Sequence, residues 1–219
     1  EVLNEALNHV RQQIWHMEGV DDIGVVVDAV VDGVRALGIP FYDCGVNIIR
    51  DVGDKVEIMR QTALRQQESK EAQVVDDSAV ERIWKSGEGY YRPDLDANDK
   101  LLERDGLRAL YGKGICSVLD VPFSHGTLAV NSTQVDAFSH SDREALGEMA
   151  NLLGQGYRRR EDLGALQQRQ EAIEEKDRML EAFDRIALVT LGTLDIREIL
   201  DNLAEQAVKA GILRSLMVA

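Results

Sequence analysis

The sequence predicts an α+β domain, an antiparallel sheet flanked by helices, followed by a long C-terminal helix of coiled-coil type. Three observations carry that expectation. Residues 2–37 hold two stretches with apolar side chains at helical spacing. Residues 42–61 and 115–132 hold runs of β-forming residues joined by short turns. The stretch from Ser141 to about Leu191 has no proline and repeats an apolar residue every seventh position: Leu152, Leu166, Ile173, Leu180 and Ala187, with Arg159 the exception. As one helix it makes a rod of about 75 Å at 1.5 Å per residue.

The elements follow in order. Leu3, Leu7, Val10, Ile14 and Met17 form the stripe of a helix over 2–18, which Gly19 ends. Asp21 and Asp22 open a second helix over 22–37, whose Ile23, Val26, Val27, Val30, Val31 and Val34 face a core and which stops at Gly38. Residues 42–51 alternate as a strand, with Tyr42, Cys44, Val46 and Ile48 on one side and Asp43 and Asn47 on the other. A turn at Val52-Gly53-Asp54 leads to a return strand over 55–61, a hairpin. Residues 62–78 are polar and read as strand end plus loop. A short helix over 80–85, a short strand over 89–92 and a helix over 100–110 broken near Gly106 come next. The strands 115–122 and 126–132 flank Phe123-Ser124-His125, a tight turn. Ser141 with Glu144 reads as a capping box that starts the long helix.

The final residues repeat the opening. Asp195-Ile196 aligns with Asp22-Ile23, Ile199 with Val26, Leu203 with Val30 and Gly211-Ile212 with Gly38-Ile39. The expected division is an N-terminal helix over 1–20, a domain over 21–157, a connector helix over 158–192 and the truncated start of a second, similar domain over 193–219, with a strand over 213–218.

Charge narrows the partners. The net charge of −14 opposes binding to phosphate backbones and anionic lipid surfaces, so neither nucleic acid nor membrane is expected. No apolar run is long enough to span a bilayer. The opening EVLNEALNHV is polar and acidic, unlike a secretory signal, and the only cysteines, Cys44 and Cys116, imply no disulfide framework. A reduced, cytoplasmic setting is expected.

Several constellations bear on chemistry. Asp94, Asp96 and Asn98 resemble the start of a calcium loop, but Asp99 stands where that loop needs Gly, and Asp105 where it needs Glu. A capped helix start is the plainer reading. His9 and His16 are seven apart on one helix, too far to share a metal, and His125 and His140 lie near no evident ligand partner. No nucleophile elbow, phosphate loop, metalloprotease helix or dinucleotide fingerprint occurs, nor a phosphoacceptor-histidine motif. Trp84, Tyr90, Tyr91, Arg92 and Tyr111 gather in the middle of the chain, where aromatics are otherwise few.

Residues 115–153 resemble the C-terminal half of a GAF domain. The matching features are a strand ending in Val121-Pro122, then Gly126-Thr127-Leu128-Ala129-Val130, then Ala137-Phe138-Ser139, Asp142, Leu146 and Ala150. Residues 21–49 are similar to the opening helix and first strand of that family, and 193–219 more weakly so. The resemblance implies a sensory module, often dimeric through its flanking helices. It implies a ligand pocket over the middle region, where Trp84, Tyr91, Arg92, Tyr111, Cys116 and Asn47 are the candidate binding residues for an unidentified small molecule that is planar or anionic. The same rings equally suit a closed core. The cyclic-nucleotide set of the family does not assemble here. Cys44 and Cys116 are followed by Gly45 and Ser117 rather than the histidine that accompanies bilin attachment. The expected function is a regulatory GAF module of a cytoplasmic signalling protein such as a sensor histidine kinase. It would be a homodimer through helices 2–18, 22–37 and 141–191, with any catalytic output lying outside this chain. The alternatives are a ligand-free dimerisation scaffold and a cysteine-based methionine sulfoxide reductase using Cys116.

Overall fold

The structure is a computed structural model that describes residues 1–52, 55–62, 72–75, 79–193 and 196–209. The chain divides into two compact units, Glu1–Ala165 and Leu166–Ala219. In the first, α1 (Val2–Trp15) leads through a single 3-10 turn (Val20–Asp22) to α2 (Ile23–Ala36). There follow β1 (Asp43–Val52), β2 (Lys55–Thr62), β3 (Ala72–Val75), α3 (Ala79–Ser86), β4 (Tyr90–Arg92), α4 (Arg104–Tyr111), β5 (Ser117–Phe123) and β6 (Gly126–Ser132). α5 (His140–Thr193) is a single helix of 54 residues that runs from the first unit into the second. The second unit also holds α6 (Ile196–Lys209).

The strands form one antiparallel sheet in the order β3-β2-β1-β6-β5-β4. β5 and β6 form a hairpin, β4 pairs with β5 across the connection that holds α4, and β6 returns beside β1 in the middle. Alternation sends Cys44, Val46 and Ile48 of β1, Leu119 and Phe123 of β5, and Leu128 and Val130 of β6 to one face. That face packs on α1 (Ala6, Leu7, Val10), α2 (Val26 to Val34) and the first turns of α5 (Leu146 to Tyr157). The stripes at helical spacing therefore become one apolar layer, to which α1 contributes. Two glycines make this arrangement possible. A Cβ on Gly126, at φ +154°, would lie 1.8 Å from the Asn47 carbonyl oxygen across the ladder. A Cβ on Gly156 would lie 3.1 Å from Val26 and 3.3 Å from Ile23, so its absence lets α5 lie close against α2.

Four expectations need correcting. The box that starts α5 lies two residues earlier than Ser141 and Glu144. The amide of Asp142 donates to Ser139 Oγ (3.2 Å), and the amide of Ser139 donates back to the Asp142 carboxylate (2.9 Å). Tyr42 precedes β1 and does not follow its alternation; its ring meets Tyr111 edge-on at 5.9 Å on the other side of the sheet. β3 lies within the segment read as strand end plus loop. The helix placed over 100–110 begins only at Arg104, after Leu102 adopts φ 56°. The turn at Gly53-Asp54, most of 62–78 and the strand expected over 213–218 lie outside the described residues. α6 spans Ile196–Lys209, in step with α2 over Ile23–Ala36 under the alignment of Ile196 with Ile23.

Candidate functional site

The opposite face of the sheet is covered by α3, the 93–103 segment and α4, and it is not uniformly apolar. At one end Ile49, Val56, Ile58 and Val80 cluster with Trp84. At the other Leu95, Ile115 and Val118 cluster with Tyr42, Leu107 and Tyr111. Asp43, Asn47, Arg92, Asp120, Thr127 and Asn131 are all buried. They belong to neither cluster, and alternation puts them on this face.

Two hydrogen-bonded groups organise these residues. In the first, the Asn47 amide donates to Thr127 Oγ1 (3.0 Å), and Thr127 donates to Asp120 Oδ1 (3.0 Å). The other Asp120 oxygen accepts from Arg92 Nη2 in a close ion pair. Arg92 Nη1 donates to the Tyr90 carbonyl (3.0 Å), and Arg92 Nε faces Glu103 Oε2 at 2.9 Å. Register sets this chain of contacts: Asn47 pairs with Thr127, Asp120 pairs with Ala129 and so meets Thr127 on the diagonal, and Arg92 pairs with Val118, diagonal to Asp120. In the second group, Tyr111 Oη donates to Asp43 (2.7 Å) and accepts from the Asn131 amide (3.1 Å).

Charge in this layer is only partly balanced. Burial lifts the Glu103 carboxyl above the ordinary carboxylate range; Arg92 opposes the lift, and Asp120 and Asp99 add to it. Burial, with Asp43 alongside, likewise pushes the Tyr111 phenol up, so it stays a neutral donor. Neutral tyrosine, amide and hydroxyl groups beside one arginine and three carboxylates can hold a small polar molecule by hydrogen bonds and fix its orientation.

The structure separates the six candidate residues. Asn47, Arg92 and Tyr111 belong to the polar layer. Trp84 closes one apolar end and donates its indole N–H to the Phe123 carbonyl (2.9 Å). Tyr91 is the correction: it packs on the helix side, tilted against Phe138 at 5.6 Å. Its hydroxyl donates to Asp136 (3.0 Å) and accepts from the Phe138 amide (3.1 Å). The expected aromatic wall is therefore divided between two faces. Cys116 precedes β5, half-buried, its Sγ 3.9 Å from the Gly114 carbonyl. Asp120, Thr127 and Glu103 were missed by sequence reasoning. The available signal was Asp120 itself, a lone acid within the strand SVLDVPF. The segment 94–99 shows capping rather than a cation cradle. Asp94 accepts the amides of Asp96 (2.9 Å) and Ala97 (3.0 Å), and Asp99 those of Glu103 (2.9 Å) and Arg104 (3.1 Å).

Solved structures share this fold. The chain is similar to the GAF domain of a phosphoenolpyruvate-protein phosphotransferase from Coxiella burnetii at a TM-score of 0.58, with 17% identity, over 74% of this chain and 96% of that one. Against the free methionine-R-sulfoxide reductase from Neisseria meningitidis, solved in complex with its substrate, the TM-score is 0.54 and the identity 16%, over 73% and 90% of the two chains. The GAF domain of a two-component sensor histidine kinase from Bacillus halodurans gives 0.53 and 16%, over 68% and 99%. No family profile and no curated protein matches the chain.

Proposed function

Because the chain carries a GAF fold, we propose that it is a sensory module that binds a small molecule on the covered face of its sheet and passes the event to α5. The observation that carries this reading is the hydrogen-bonded layer of Asn47, Thr127, Asp120 and Arg92. Burying an ion pair and two amide or hydroxyl partners in so small a domain contributes less to stability than apolar packing of the same volume. A binding role accounts for keeping them. Neighbours in fold from a histidine kinase and a phosphotransferase support regulation as the general role.

Transmission is proposed to use α5 as a paired helix in a homodimer, with α1 and α2 alongside. Leu166, Ile173 and Leu180, seven apart, are 59%, 54% and 61% exposed in the single chain. A narrow apolar seam between charged flanks suits a two-stranded coil. A ligand would act by preferring one of two packings of that seam. We read the chain as regulatory rather than catalytic, and its proposed setting is cytoplasmic. Among the described residues no helix is long and apolar enough to cross a membrane. Residues 193–219 are read as the start of a second domain of the same type, which the matching spans of α2 and α6 support.

A scaffold without ligand is the second reading, favoured by the two apolar clusters that close the ends of the layer. A sulfoxide reductase using Cys116 has less support, because the only other cysteine is a poor partner thiol. Cys44 is buried in the helix-side core, where desolvation first and the Asp43 charge second push its thiol up and disfavour the reactive thiolate. Native mass spectrometry of the freshly purified chain decides between sensor and scaffold: a bound small molecule supports the first, and a mass of protein alone at every preparation supports the second. Sedimentation of the wild type and of a Leu166→Ser/Ile173→Ser/Leu180→Ser variant tests the seam. A dimer that the triple change does not weaken overturns it.

A further inference from the structure

The ion pairs of Arg92 are unequal, and the inequality identifies the chemical class of ligand. This inference rests on the binding role proposed above. Arg92 is 4% exposed at its side chain. The sheet holds it firmly through Asp120, which is itself fixed by Thr127 and Asn47, and through the Tyr90 carbonyl. Glu103 comes from the cover instead. Its Oε2 lies 2.9 Å from Arg92 Nε, yet the two atoms are out of line for a hydrogen bond, and neither has another hydrogen-bond partner among the described residues. These are two buried polar atoms that face each other and remain unsatisfied in geometry.

The rest of the cover does not need Glu103 there. Its side chain stands at the start of α4 but caps nothing, because Asp99 takes the free amides of Glu103 and Arg104. The preceding Leu102 is held at φ 56°, a region that bulky residues seldom adopt, and it is 87% exposed. The backbone that carries this carboxylate is thus strained at the residue before it. The surroundings also disfavour the charged carboxylate: Asp120 and Asp99 repel it, and burial outweighs Arg92 and Arg60, the cations that favour it.

We propose that Glu103 is a resident substitute for the ligand's own carboxylate, and that a small monocarboxylate displaces it from Arg92 Nε and frees the 99–111 segment. The charge balance selects a monoanion. Asp120 stays bound to the same guanidinium, so a dianionic phosphate would set two further charges beside it. Recognition of the ligand and opening of the cover are then one exchange at one nitrogen.

The test uses acetate as the probe, acetamide as its neutral isostere and inorganic phosphate as the competing anion, at constant ionic strength. In Glu103→Ala the vacated space should admit acetate at least about tenfold more tightly than in the wild type, the scale of one charge-assisted hydrogen bond. The readouts are the Arg92 Nε–Hε resonance and the melting temperature, and acetamide should move neither. The wild-type chain tests the same exchange without a mutation. Rising acetate should shift the Arg92 Nε–Hε resonance and speed amide exchange in 104–111, while β1 and β6 stay protected. Phosphate binding in place of acetate, an equal response to acetamide, or an unmoved Arg92 resonance in both proteins overturns the proposal. A bound neutral molecule found by mass spectrometry, with no acetate response, overturns it too but leaves the sensory reading standing.

Discussion

The two faces of the sheet are built by the same strands and follow opposite rules. On the helix side, Cys44, Val46, Leu128 and Val130 meet α1, α2 and α5 in a layer of almost purely apolar contacts. One residue along each strand, Asp43, Asn47, Thr127 and Asn131 point the other way and are just as buried, but hydrogen-bonded. The helix face supplies cohesion, since apolar burial stabilises by about 25 cal/mol per Å². The covered face spends part of that stability on buried polar groups, the ones proposed above to bind a ligand. The apolar and the polar layer are thus separated by one residue along each strand rather than by domain.

That contrast can be broken at either face. Arg92→Met should have the largest effect, a loss of about 3–5 kcal/mol, because it leaves Asp120 and Glu103 buried without their cation. Urea unfolding monitored by circular dichroism measures it, and a loss below 1 kcal/mol would mean that the layer is wet and open. Leu128→Ala, at a fully buried site of the helix face, should cost about 2–5 kcal/mol in the same assay while leaving the Arg92 resonance unmoved. Thr127→Val keeps shape but removes the link between Asn47 and Asp120. A loss of about 1–3 kcal/mol is expected, with a shifted Arg92 Nε–Hε signal that Leu128→Ala does not produce.

The smallest effect sharpens the contrast most. The fold raises the Glu103 pKa, so it favours the protonated side chain. The stability this contributes is complete below the ordinary glutamate value of about 4.3 and fades as pH rises through the lifted one. Glu103→Gln removes that decline. Its stability should match the wild type near pH 4 and exceed it by about 1 kcal/mol or less at pH 7, the scale of one hydrogen bond. Thermal melts across that range check the sign, and a variant weaker than the wild type at pH 7 contradicts it.

Periodicity made most of the fold legible. Strands of seven to ten residues such as β1 and β6 show their alternation plainly, and so Asn47 was assigned to the correct side with Asp43. β4 has three residues, Tyr-Tyr-Arg, too few for a pattern to declare which side each faces. Only its pairing with β5 settles that, which is why Tyr91 was grouped with Arg92 when the two point apart. β3, Ala-Gln-Val-Val, has no alternation at all, and its strand character comes from the β2 edge that it pairs with. Glu103 was out of reach for another reason. Nothing local marks a helix-start glutamate as the partner of an arginine on a strand, because the contact is made by the path of the 93–103 segment.

The short edge strand has a consequence of its own. Arg92 is gripped by the buried polar layer, and the adjacent Tyr91 ties through its hydroxyl to Asp136 and the Phe138 amide, four and two residues ahead of α5 at His140. A single peptide bond therefore joins the proposed anion site to the residue tied to the segment that leads into the long helix. If the guanidinium swivels when its companion is exchanged, β4 tips like a rocker, and the far arm tugs at the point from which the rod springs.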